Sequence, residues 1–131
     1  MKTNFLLTLT IIFIAFFTFS CKKEGVGGKV ELAVFVKHHK ELIPNAVVYI
    51  KYGAKEFPGP DSENYDDSAI CGSDVHHLGH THFKDLKKGD YYLYSVGYDS
   101  TINLPVTGGI PVQIKEKAGE VTVDIPVTEE H

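Results

Sequence analysis

The sequence contains no arginine: its 13 basic residues are all lysines, and 17 acidic residues bring the net charge to −4. Arginine is the side chain best suited to bidentate recognition of phosphates and base edges. A mildly acidic chain without arginine is a poor candidate for nucleic-acid binding. We therefore expect no nucleic acid among the partners of this protein.

Long apolar runs are also missing, except for one at residues 5–19 that follows the single charge of Lys2. That run is shorter than the roughly 20 apolar residues that a membrane-spanning helix needs. A positive start and a short apolar core are typical of a secretory signal peptide. We therefore assign residues 1–20 to a signal peptide that is removed from the mature protein.

The residues "TFSCKKEG" around Cys21 resemble the end of a bacterial lipoprotein signal of the Bacteroidetes type. In such signals the cysteine is lipidated and becomes the first mature residue. Ser20 fits the small residue before it, whereas Thr18 and Phe19 depart from the usual pattern. The resemblance implies lipidation of Cys21, with a membrane partner through that anchor, and a flexible tether over residues 21–28. It also implies a cell-envelope location, at the outer membrane facing the periplasm or the surface. A cleaved signal that leaves Cys21 free is the alternative.

Cysteine is scarce, and with Cys21 lipidated only Cys71 remains. An intramolecular disulfide is then excluded, and a lone thiol is buried, a metal ligand or a site of intermolecular pairing. We expect Cys71 to be buried, because free cysteine packs as a small hydrophobe.

No run with helical periodicity follows the tether; almost every segment alternates apolar and polar residues. Such alternation, with Gly-, Pro- and Asp-rich turns between segments, is typical of half-buried strands. It predicts an all-β domain over residues 29–131, an antiparallel seven-stranded β-sandwich. One more short strand is expected near "SAICG", within the long connection at residues 53–74. The predicted core faces hold Val30, Leu32, Val34, Val36, Ala46, Val48, Ile50, Thr81, Phe83, Ile110, Val112, Ile114, Val121, Val123, Ile125 and Val127.

The segments "LIPNAVVYI" and "SDVHHLGHTHFKDLKKGDYYLYSVGYD" resemble the carboxypeptidase regulatory-like domain, a transthyretin-like (prealbumin-like) sandwich of immunoglobulin-like type. The resemblance implies core or corner positions for Tyr91 and Tyr98. Its motifs are turns and core positions, so they indicate a fold and not an activity. The chain departs from the family where the short turn between Asp74 and Gly79 is enlarged and filled with histidine. The matching positions are Pro44, Ala46, Val48, Asp74, Gly79, Phe83, Leu86, Gly89, Tyr91, Gly97 and Tyr98.

Histidine is the abundant reactive residue, with a pair in "VKHHKE" and four more in "VHHLGHTHF". The expected strand directions bring both segments to the end of the sandwich farthest from the anchor, where binding loops commonly lie. His80 and His82 are two residues apart on a strand and share a face, which suits chelation of one ion. The metal candidates are His38, His39, His76, His77, His80 and His82.

Imidazole-rich sites suit transition metals, and we expect Zn or Cu. Asp74 and Asp99 are candidates for a supporting role, in which a carboxylate accepts a hydrogen bond and fixes the tautomer of a ligand. The alternative is a rim of solvated histidines that binds no metal.

A stripe of Tyr49, Tyr92 and Tyr94 on the outer face is a candidate protein or glycan contact. The segments "HTHF" and "GDYY" superficially resemble motifs of non-haem iron dioxygenases, but their order is reversed and the arginine of those enzymes is absent. No nucleophile motif is present. We therefore expect a binding or accessory module and not an enzyme.

Overall fold

The structure, a computed structural model, describes residues 23–130. The predicted signal peptide and Cys21 lie outside the described residues. No helix within residues 23–130 is long and apolar enough to cross a membrane. These residues form one short 3-10 turn, Ser62–Asn64, and nine strands: β1 Val26–His38, β2 Glu41–Leu42, β3 Val47–Tyr52, β4 Asp67–Ile70, β5 His80–Leu86, β6 Gly89–Asp99, β7 Leu104–Ile114, β8 Ala118–Pro126 and β9 Thr128–Glu129.

The strands form two sheets, which confirms an all-β fold consistent with a β-sandwich. One sheet has β1 at its centre, paired with β2, β5 and β8, and the other has the order β4–β3–β6–β7–β9. The structure differs from the predicted seven-stranded antiparallel sandwich in two ways. Residues 23–130 hold nine strands, of which β2 and β9 have two residues each. The pair β1–β8 is parallel, because the last long strand returns beside the first.

Period-two alternation sorts the residues of each strand into the core or onto the outer surface. On β1 the even positions Val30 to Val36 face inward, and Phe83 of β5 packs opposite Leu32. The predicted core faces are confirmed for the buried members, and Cys71 is buried as expected. Burial raises the pKa of the Cys71 thiol to about 11, so this cysteine is held in its protonated, unreactive form.

The structure gives the positions of two features at the ends of strands. Tyr98 is 52% exposed and does not belong to the core, whereas Tyr91 is fully buried. Strand β1 begins at Val26, so residues 26–28 of the predicted tether are part of the sheet. Glycine permits this start, because a Cβ on Gly28 would lie 2.1 Å from the carbonyl oxygen of Leu86.

The long connection after β3 contains the predicted short strand, β4, and covers part of the outer face of the five-stranded sheet. Phe57 lies 5.0 Å from Tyr94 between ring centroids, and Tyr65 stacks on Tyr94 at 6.0 Å. Tyr92 and Tyr94 share the outer face as predicted, but they are buried because this loop packs over them. The tyrosine stripe is therefore a packed cluster with one accessible side.

Candidate metal centre

The two histidine-rich segments lie at the same end of the sandwich, as predicted. Strand β1 ends at His38 where β5 begins at His80, and Phe35 is the cross-strand partner of His80. The backbone N–H of Val36 donates a hydrogen bond to the carbonyl of Gly79 at 2.9 Å, which ties the two loops together. Strand parity then decides which histidine faces the interior and which faces solvent.

His38 has the parity of the core residues of β1 and lies between the two sheets, 2% exposed. Its Nδ1 is 2.7 Å from Oδ2 of Asp99, at the end of β6 in the other sheet. The hydroxyl and the backbone N–H of Thr101 donate to Oδ1 of Asp99, at 2.6 and 2.9 Å. These bonds from Thr101 and then His38 lower the pKa of Asp99 to about 2. The hydrogen bond to Asp99 in turn raises the pKa of His38 above its usual value.

The other ring nitrogen of His38, Nε2, is buried and has no hydrogen-bond partner within the described residues. It lies 3.4 Å from Oε1 of Glu129, and Nε2 of His39 lies 3.8 Å from the same oxygen. An imidazole whose Nδ1 donates to a carboxylate presents a lone pair at Nε2, which is the arrangement found at metal-binding histidines. The free nitrogen of His38 therefore points toward two further potential ligands.

A tight turn between β1 and β2 places His39 beside His38. His39 and Lys40 connect β1 to β2 and have φ angles of 50° and 81°, as in the type I′ turns of two-residue hairpins. Such turns favour glycine and asparagine, so a Lys in this conformation is strained. The ring centroids of His38 and His39 are 4.1 Å apart as a result.

The spacing of the three side chains suits a tetrahedral ion. Bonds of about 2.0–2.1 Å to nitrogen or oxygen place neighbouring ligand atoms about 3.3 Å apart. His38, His39 and Glu129 offer ligand atoms that all lie within 4.8 Å of one another. Two imidazoles and one carboxylate leave a fourth position for water or a ligand.

Glu129 was not among the predicted site residues. The chain crosses from one sheet to the other after Pro126: Val127 N–H bonds to the carbonyl of Lys37 at 2.9 Å, and Glu129 pairs with Val106 of β7. A backbone N–H and then His38 lower the pKa of Glu129, so it is ionised. The sequence signal was Pro126 at the end of an alternating run, which marks a strand break but not a ligand.

His80 and His82 lie on the opposite, outer face of the four-stranded sheet. His80 stacks on Phe35 with centroids 4.8 Å apart, and the rings of His80 and His82 are 5.4 Å apart. Nδ1 of His82 is 2.9 Å from Oε1 of Glu31, although the geometry is that of an ion pair and not of a hydrogen bond. His82, Glu31 and Glu120 form a second group of potential ligands, all partly or fully exposed.

His76 and His77 belong to an exposed turn that Asp74 organises. Oδ1 of Asp74 accepts hydrogen bonds from the backbone N–H groups of His76 and His77, at 2.9 and 3.1 Å, and lies 3.0 Å from Nδ1 of His77. The bond from the His76 backbone is the largest cause of the lowered pKa of Asp74. Asp74 therefore stabilises the turn. Of the two carboxylates predicted to support a ligand, Asp99 contacts the buried His38 and Asp74 contacts the exposed His77.

The sequence suggested that His80 and His82 could share an ion with His76, His77, His38 or His39, but neither group of potential ligands found among residues 23–130 combines these histidines in that way. Among residues 23–130 the two groups of three potential ligands have no member in common. The reason is parity: His38 points between the sheets, whereas His80 and His82 point away from them.

The histidines and tyrosines of the dioxygenase-like pattern are also separated. His80 and His82 lie on the outer face of one sheet, while Tyr91 is in the core and Tyr92 is on the outer face of the other sheet. This placement does not favour a site made of two histidines and two tyrosines.

Comparison with protein-family models gives no match for the chain, and no significantly similar curated protein is found.

Proposed function

We propose that this chain is a cell-envelope lipoprotein whose β-sandwich is a binding or accessory module that holds a divalent transition metal, Zn or Cu. The supporting observation is the buried His38. Its Nδ1 is bonded to Asp99, and its Nε2 lies 3.4 Å from Glu129 without a hydrogen-bond partner among the described residues. Leaving a buried polar atom without a partner is costly. A metal ion bound to Nε2, His39 and Glu129 removes that cost.

Calorimetric titration of the metal-stripped, untagged mature protein with Zn(II) and Cu(II) at neutral pH tests this function. We expect a site tighter than about 10 μM. Glu129→Gln keeps the shape of the side chain but removes its charge, and it should weaken binding more than about 100-fold, because even outer-shell partners contribute 10–100-fold. Glu130→Gln is the matched control, since Glu130 lines a different cleft. Equal binding by both variants, or no site below about 10 μM, would mean that coordination is not the function.

The anchoring part of the proposal rests on the sequence around Cys21. Lipidation requires the thiol, so Cys21→Ser should release the protein from the membrane fraction or block its processing. Fractionation and mass spectrometry of the mature N-terminus report on both. Unchanged fractionation without an acyl mass would refute the anchor and leave a secreted or periplasmic domain.

A metal-free interaction module is the second candidate function, and the tyrosine cluster favours it. A cleft of about 430 Å³ beside the cluster is lined by aromatic, small and acidic residues. Aromatic surfaces with a nearby polar group are common in protein and ligand contacts, so an envelope protein or glycan is the expected partner. Phe57→Ala should weaken such binding, whereas Ile102→Ala, at an exposed apolar residue outside this cleft, should not. The lining residues are Phe57, Pro60, Tyr92, Tyr94, Thr107, Gly108, Gly109 and Glu130.

A further inference from the structure

A cleft of about 590 Å³ opens beside the His38–His39–Glu129 centre. Its wall includes His39, a member of the centre, and Thr128, the neighbour of Glu129. The side chain of His39 is 77% exposed, whereas that of His38 is 3% exposed and closed off by Asp99. Solvent therefore reaches the centre from the His39 side, where the cleft lies.

Two lysines line the cleft, and they differ in how far their charge is compensated. Nζ of Lys37 is 2.9 Å from Oδ2 of Asp124, so that cation is already paired. Lys40 is exposed and has no ion-pair partner within residues 23–130. A divalent ion with one carboxylate ligand carries a net positive charge, and Lys40 adds to it. The cleft is suited to an anion.

The carboxylate of Asp124, which pairs with Lys37, also lines the cleft, and the rest of the wall is apolar. Pro126 and Val127 supply its surface together with the methylene stems of the two lysines. An inorganic anion would leave this surface in contact with water, whereas an organic acid would cover it. The volume is also within the range of small-molecule sites, about 300–1,000 Å³.

We propose that the cleft binds a small organic acid whose carboxylate completes the coordination of the metal. Lys40 attracts the carboxylate, and the apolar body of the acid lies against Pro126 and Val127. This inference rests on the metal-binding function proposed above. Three protein ligands leave one tetrahedral position free, and the cleft adjoins the exposed side of the centre.

The test uses the metal-stripped mature protein loaded with Co(II), whose visible absorption bands report on the coordination shell. Benzoate is the probe, with acetate and inorganic phosphate as comparators. We expect benzoate to shift the Co(II) bands and to bind several-fold more tightly than acetate, because its ring covers the apolar wall. Lys40→Met should weaken benzoate binding about fivefold, whereas Co(II) should bind at least as tightly, because the variant removes a positive charge near the ion. Lys88→Met is the control, since Lys88 lies at the opposite end of β5.

The outcomes separate the two proposals. If Co(II) binds tightly but benzoate at up to about 10 mM leaves the bands unchanged, the organic-acid inference is wrong and the metal function stands. If phosphate binds as tightly as benzoate, the cleft responds to charge alone and the proposed ligand class is wrong. If Co(II), Zn(II) and Cu(II) all fail to bind, both proposals fail together.

Discussion

The two faces of the sheet built on β1 and β5 place histidine in contrasting surroundings. On the inner face, His38 lies 2.7 Å from Asp99 and is almost completely buried. On the outer face, His82 lies 2.9 Å from Glu31, and 31% of its side chain is exposed. Each imidazole thus has a carboxylate at a similar distance, but only the inner one is held in a desolvated, hydrogen-bonded position.

Burial is what separates a candidate metal centre from a row of surface histidines. The inner carboxylate is fixed by Thr101 and orients His38, whose Nε2 lies 3.4 Å from Glu129 and has no hydrogen-bond partner within residues 23–130. Nδ1 of His82 is also shielded from solvent and lacks a hydrogen-bond partner within the described residues, but the side chains of His82 and Glu31 are 31% and 37% exposed. Exposed ion pairs contribute about 0–1 kcal/mol. The comparison teaches that strand parity, and not the number of histidines, selects the site.

The largest effect expected from this comparison is on stability. Phe83→Ala on the inner face of β5 should lower the free energy of unfolding by about 3–5 kcal/mol, because Phe83 is buried against the core. Lys84→Ala, one residue later on the outer face, should change it by less than about 0.5 kcal/mol. Urea denaturation of both variants measures the difference. Similar values for the two variants would show that inner and outer faces have been assigned wrongly.

The second-largest expected effect is on metal affinity, which should differ between variants on the inner and outer faces of the sheet. We expect His38→Gln to weaken Zn(II) or Cu(II) binding more than about 100-fold, since it removes a buried ligand. The double variant His80→Ala with His82→Ala should weaken it less than about threefold. His131→Ala, at the chain terminus, is a further control. If the double variant has the larger effect in calorimetry, the centre lies on the outer face with His80 and His82, whose shared strand face the sequence predicted to suit one ion.

Strand positions and the core could be predicted from the sequence because period-two alternation is local. It indicated β1, β5 and β6 and the inward face of Phe83, and it indicated that both histidine loops meet at one end. The parallel pairing of β1 with β8 could not be predicted, because it depends on contacts between the two ends of the domain.

The site was only partly predictable for the same reason. Asp99 was expected to orient a histidine, and it does so for His38. Glu129 approaches His38 only because the chain changes sheets after Pro126, and no local pattern shows this. His38 is the last residue of β1, and its even position continues the inward series that ends at Val36. Because Val30 to Val36 face the core at even positions of β1, the next even position, His38, is also expected to face the core.

The pKa of His38 offers a finer measure of the inner environment. Its hydrogen bond to Asp99 favours the protonated ring and raises the pKa, so this stabilisation is complete below about pH 6.5 and is lost as pH rises through the folded-state pKa. In Asp99→Asn we expect a lower pKa of His38, measured by NMR titration. The melting temperature of the metal-free variant should also fall less between pH 6 and 8 than that of the parent.

The metal affinity of Asp99→Asn can be measured as well. Protons compete with the metal for His38, so its raised pKa means that metal affinity already decreases while the pH is lowered towards 6.5. Asp99→Asn should weaken binding about 10–100-fold at neutral pH, because the tautomer is no longer fixed. Asp74→Asn, which alters the exposed turn, is the control. If the two variants bind metal equally, Asp99 does not orient a ligand.

The smallest expected effect lies on the outer face. Glu31 and Glu120 are direct partners on the parallel strands β1 and β8, and like charges opposite each other destabilise a sheet. Glu120→Gln should therefore stabilise the metal-free protein by a few tenths of a kcal/mol to about 1 kcal/mol. The gain should shrink in high salt, because screening at 1 M ionic strength acts within about 3 Å.

Glu56→Gln, at an exposed loop position, should have no effect. Thermal melts at low and high salt measure both variants. If Glu120→Gln instead lowers the melting temperature, the repulsion argument is wrong. The charge of Glu120 then stabilises the group of Glu31, His82 and Glu120 through His82.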